Sequence, residues 1–185
     1  INNCIVTNTE IEGQDFVGGI VGETITPNEY IGEVTGCETE DCIISGNEKI
    51  GGICGDAFYT KFFECSNDSS VNGKVSIGGI CGYMSFGSVS FCENSGVICG
   101  SIKTGGINGF ARCDEFKNNT NMGLVKGEEN VGGIIGKNSD SIYKCVNKGN
   151  VKGEENVGGI VGINFGDISC VKNKSTASGN DEVGG

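Results

Sequence analysis

The sequence predicts an all-β chain wound as a parallel β-solenoid, and three observations carry that expectation. First, a string of the form Val/Ile/Thr-Gly-Gly-Ile recurs at Val17, Ile50, Ile77, Thr104, Val131 and Val157, and its first three letters return at Val183. Successive copies lie 33, 27, 27, 27, 26 and 26 residues apart, so one unit of 26 to 27 residues repeats through residues 1–185 as a single domain. Second, residues at matched positions in the unit are chemically alike. Third, the apolar stretches are short and separated by Gly, Asn and Ser, and none holds a helical period. A unit of this size cannot bury an apolar face alone, whereas stacked copies bury a continuous column of like side chains. The expectation is roughly seven coils, about 4.8 Å apart, wound in the right-handed sense.

Within each unit the first column is apolar: Ile11, Ile44, Val71, Ile98, Val125, Val151 and Ala177, two residues before a glycine. Four residues after that glycine comes the Gly-Gly string, read as a corner because glycine takes positive φ and permits close backbone approach. Ile20, Ile53, Ile80, Ile107, Ile134 and Ile160 follow and point inward. The next column (Val21, Cys54, Cys81, Asn108, Ile135, Val161) is also mostly apolar, which strict strand alternation does not explain. Val34, Phe62, Val89, Phe116 and Ile142 form another core column, with Ile168 one place out of step. Cys4, Cys37, Cys65, Cys92, Cys145 and Cys170 form a thiol column interrupted by Asn119, and Asn67, Asn94, Asn121, Asn147 and Asn173 form an amide column two residues later, with Asn173 shifted by one. Stacked amides hydrogen-bond from coil to coil, so the amide column is read as structural. Asn108 and Asn119 are expected to satisfy each other across the core. The long interval after Val17 places an inserted loop at residues 23–36, around Pro27.

Composition removes several function classes. The chain has no histidine, which excludes a Ser/His/Asp triad and an HExxH zinc site. A net charge of -11 repels a phosphate backbone, so nucleic acid is not an expected partner. No apolar run approaches the roughly 20 residues of a membrane-spanning helix. The start at Ile1 and the partial repeats at both ends lead us to expect a segment of a longer protein, with exposed end coils that favour end-to-end self-association.

The string from Val157, VGGIVGINFGDISC, and its sister from Val131, VGGIIGKNSDSIYKC, followed by VNKGNVKG, resemble the GLUG repeat. The resemblance covers nearly the whole chain. It implies a β-helical rod in a large exported bacterial protein, either a surface adhesin or the non-catalytic part of a secreted metallopeptidase, and hence an extracellular or cell-surface location.

The chemistry-bearing residues are weighed against that background. In-register thiols hold their Cβ atoms about 4.8 Å apart, wider than the ~3.8 Å of a disulfide, so the cysteines are read as reduced, buried small hydrophobes. Disulfides and a metal site are the alternatives, and no CxxC supports the latter. Cys42, Cys99 and Cys113 lie outside the column and are expected to be the more exposed thiols. Asp15, Glu48, Glu128, Glu129, Glu154, Glu155, Asp181 and Glu182 form an acidic stripe, read as solvated charge with weak calcium binding as the alternative. No carboxylate pair stands out from the repeat, so no catalytic residue, cofactor or metal ligand is assigned and the chain is not expected to be an enzyme. Aromatic residues concentrate between Phe58 and Phe91. Tyr59, Tyr83 and Phe86, together with Tyr30 of the inserted loop, are the candidate contacts for a host glycan or protein, with packing beneath a loop as the alternative. The functional expectation is a non-catalytic rod, adhesive or spacer. The other reading is a scaffold segment of a secreted metallopeptidase or glycan-active enzyme whose catalytic domain lies elsewhere.

Overall fold

The computed structural model describes residues 1–27 and 30–185. Its regular elements are all strands, arranged in three parallel sheets of seven, ten and twelve strands. The seven-stranded sheet takes one strand from each coil, from Asp15–Gly18 to Asp181–Gly184, so the chain makes about six turns between them. The repeat sets the register: Val17, Ile50, Ile77, Thr104, Val131, Val157 and Val183 stand opposite one another in succession. No helix long and apolar enough to cross a membrane occurs among the described residues.

The Gly-Gly string is a corner, but not through positive φ. Among described glycines only Gly36 and Gly87 adopt it. The left-handed position belongs instead to the residue before each string: Phe16, Lys49, Ser76, Lys103, Asn130, Asn156 and Glu182, with φ between 50° and 59°. Glycine is required for space. A methyl group on Gly79 would fall 2.5 Å from Asn94 Cγ and would also strike the Gly106 carbonyl of the next coil. The corner also explains the doubled inward column. Ile53 and Cys54 are both fully buried because the chain turns between them from one sheet to the next.

Sulfur and aliphatic side chains fill the interior. Cys37, Cys54, Cys65, Cys81, Cys92, Cys113 and Cys145 share one cluster with Ile53, Ile80, Phe62, Phe116 and Met84. All eleven cysteines are free. Cys42 and Cys113 are buried, not exposed as expected, and only Cys99 of that trio reaches the surface in part. A bulge opposite Ser69 explains Cys42: its backbone N–H donates to Ser69 Oγ at 3.0 Å and its thiol turns inward. Cys170 is displaced from the thiol column. Ile168 pairs in register with Ile142 and Asn173 with Asn147, so Val171 faces Cys145 and Cys170 takes the exposed left-handed corner, φ 56°. The apparent slips of Ile168 and Asn173 therefore vanish.

The amide column forms a hydrogen-bonded ladder. Each Nδ2 donates to the next Oδ1: Asn67 to Asn94 at 2.7 Å, Asn94 to Asn121 at 2.7 Å, Asn121 to Asn147 at 2.9 Å and Asn147 to Asn173 at 3.0 Å. Thr39 starts it by donating to Asn67 Oδ1. The fourth coil carries Thr104, Asn108 and Asn119, all fully buried, at positions that are aliphatic or thiol in most other coils. Asn119 is satisfied by the Cys92 N–H and the Val89 carbonyl. Asn108 reaches only Met84 Sδ, at 3.9 Å, and its Oδ1 has no partner, so the expected Asn108–Asn119 pairing is not made.

The inserted loop is shorter than residues 23–36. Val21–Ile25 and Gly32–Thr35 pair in register with the Cys54–Phe63 strand, which leaves residues 26, 27, 30 and 31 outside the sheet among the described residues. Asn28 and Glu29 within it lie outside the described residues.

Candidate functional site

Thirteen aromatic residues occur in the chain, and only Phe62 and Phe116 enter the core. The other eleven lie in the ten-stranded sheet, in the segments flanking its strands or, for Phe16, at the corner it shares with the seven-stranded sheet. The ten-stranded sheet and its margins therefore carry ten of the eleven surface rings, and Phe16 lies in the Asp15–Gly18 strand of the seven-stranded sheet. Strand geometry places them there. In Cys54–Phe63 and Cys81–Ser90, Met84 and Val89 point inward while Tyr83 turns out, and Tyr59 and Phe86 stand half-buried in the left-handed conformation, φ 51° and 63°.

Parallel register then stacks these rings along the rod. Tyr59 and Phe86 lie 4.8 Å apart with an interplanar angle of 10°, and the Arg112 guanidinium sits 4.8 Å from the Phe86 ring. Phe58 meets Tyr59 and Phe86 edge-on, at 4.7 and 5.6 Å. Beside this stack runs a second one. Tyr83 lies 4.6 Å from Phe110, also at 10°, and Lys49 Nζ lies 4.7 Å from the Phe16 ring and 4.6 Å from the Tyr83 ring. Lys49 also pairs with Asp56 at 2.5 Å, so its charge is answered by a carboxylate as well as by two rings.

Of the four expected contact residues, Tyr59 and Phe86 are brought into one stack and Tyr83 into the neighbouring one. Tyr30 stands apart, 70% exposed on the 26–31 segment, with its N–H bonded to the Pro27 carbonyl. Phe16, Lys49, Phe110 and Arg112 were not singled out from the sequence. The signal was present: Phe110 follows Tyr83, and Arg112 follows Ser85, by one repeat of 27 residues.

The acidic stripe is real but broken. Asp15 faces Glu48, and Glu129, Glu155 and Asp181 follow in register, with Val75 and Ile102 between the two groups. Glu128 and Glu154 lie alongside, whereas Glu182 belongs to the left-handed corner column. Among the described residues, no three acidic or thiol side chains converge closely enough to hold a metal ion. Desolvation holds four buried thiols protonated, pushing Cys81, Cys92 and Cys113 well up and Cys145 up to about 11, whereas the hydrogen bond from the Cys92 thiol draws Cys65 down to about 7. Comparison with protein-family models, curated proteins and solved structures finds no match to this chain.

Proposed function

We propose that this chain is a non-catalytic rod of an exported, GLUG-type bacterial surface protein, and that a host partner attaches to its aromatic face. The observation that carries the reading is the concentration of ten of the eleven surface rings on one sheet and its margins. Stacking alone does not demand this, because the seven- and twelve-stranded sheets hold the same register with aliphatic, amide and charged side chains. Exposed ring clusters are a common signature of contact surfaces. The test replaces Tyr30, Tyr59 and Tyr83 with alanine and screens parent and variant against host glycans and host surface proteins. Loss of binding with the β-sheet circular dichroism retained supports attachment at this face. A variant that binds as the parent does, or a parent that binds nothing, leaves the rod as a spacer.

A further inference from the structure

We propose that Arg112, laid on the Tyr59–Phe86 stack, recognises a carboxylate on an extended polypeptide segment of the partner. This deepens the attachment reading above and rests on it. Arg112 is the chain's only arginine. Its guanidinium lies against Phe86, whose ring is stacked on Tyr59, so one planar group from each of three successive coils forms a single pile. Stacking holds a guanidinium flat and leaves its N–H fork directed outward, the geometry that grips a carboxylate through two parallel hydrogen bonds. Lys49, Lys61 and Lys117 are ion-paired with Asp56, Glu33 and Glu115, whereas exposed Arg112, like Lys137 over Phe165 and Lys144 over Tyr143, makes no ion pair among the described residues, and of these three Arg112 has the planar fork that a carboxylate can engage twice.

The surroundings favour a peptide over a sugar. A pyranose binds by laying its C–H bonds on an open ring face. Phe86 is covered by Tyr59 and Arg112, and Tyr83 by Phe110 and Lys49. Beside the Tyr59–Phe86 pile an apolar shelf stays open: Phe58, edge-on to Phe86, and Ile25, paired in register with Phe58 and 70% exposed. A segment with an acidic residue beside an aliphatic or aromatic one fits both halves of the site.

The probe is a phage-displayed library of random peptides selected on the whole chain, with the selected peptides measured against Arg112→Ala, Arg112→Lys and Phe58→Ala and against oligouronates as acidic sugars. The expected result is peptides sharing a carboxylate next to an apolar side chain. Arg112→Ala should weaken them at least about tenfold, Arg112→Lys should restore little, and rising salt should weaken the parent complex. Peptides that need Tyr59 and Tyr83 but are indifferent to Arg112 overturn this proposal and leave the attachment reading standing. So does parent-like binding by Arg112→Lys, or preference for the oligouronate. A library that yields nothing for this face overturns this proposal, while the attachment reading stands or falls by the glycan and host-protein screen above.

Discussion

Asn94 Nδ2 lies 2.7 Å from Asn121 Oδ1 in the following coil, and the same nitrogen lies 3.0 Å from the Gly96 carbonyl in its own. One amide thus ties a turn within a coil and a rung between coils, while its Oδ1 accepts from Asn67. Asn94→Ala strips partners from the Asn67 amide, the Asn121 oxygen and the Gly96 carbonyl together, all inside the protein. We expect a loss of about 3 kcal/mol in urea denaturation, and less than about 1 kcal/mol for Asn173→Ala at the half-buried end of the ladder. Equal effects at the two positions would contradict a load shared along the rungs.

Most of the architecture was legible in the sequence because the repeat is itself a physical statement. Side chains that stack on their own copies must be alike, and Ile50, Ile77 and Val131 are. Legibility failed where two columns lay one residue apart and carried the same letter. Cys170 resembles Cys145 in type, but the one-residue-shorter coil puts Val171 opposite it. Burial of Cys42 and Cys113 depends on a bulge and on the fold of neighbouring coils, which a column alignment does not contain. The aromatic face was half read. Attention to inward columns found Tyr59, Tyr83 and Phe86 as departures, while Lys49 and Arg112 acquire meaning only from the rings that register places beside them.

Thr104 stands between Ile77 and Val131, fully buried, with no partner for its hydroxyl. The aliphatic corner of the core divides there into one cluster around Ile50, Ile77 and Ile98 and another around Val125, Val131 and Val157. Thr104→Val removes an unpaired polar group and rejoins the two, so it should raise stability by about 1 kcal/mol and sharpen the unfolding transition. A neutral or destabilised variant would show that the hydroxyl is hydrated in solution.

Thiols that burial holds protonated make the rod sensitive to alkali. The folded state holds Cys145 protonated up to about 11, against 9.0 for an ordinary thiol. The unfolded chain therefore loses that proton first, and the contribution present below pH 9 is lost as pH rises through the folded value. We expect Cys145 to lower stability by about 1.4 kcal/mol per pH unit between about pH 9 and its folded value of about 11, with no further loss above it. Cys145→Ala should cost about 1 to 2 kcal/mol at neutral pH yet flatten that slope, and Cys145→Ser should cost more at neutral pH. Reductant should leave the parent melting temperature unchanged; a large fall would reveal disulfides.

Gly79→Ala should abolish folding or cost more than about 3 kcal/mol, because the added methyl meets backbone and a buried amide, neither able to retreat. Gly184→Ala, with nothing within 4 Å, is the control and should be neutral. Paired circular dichroism melts would check both.

The fit between the second corner glycine and the ladder amide is made inside one coil: Gly52 with Asn67, Gly79 with Asn94, Gly106 with Asn121, Gly133 with Asn147 and Gly159 with Asn173. Lock and key are therefore inherited together whenever a whole coil is copied, and separated whenever a fragment of one is. A gene of this kind can lengthen or shorten by unequal exchange between units without inventing a new contact. The stretch VKGEENVGG, present from Val125 and again from Val151, shows two neighbouring coils that carry the same nine letters into this fit.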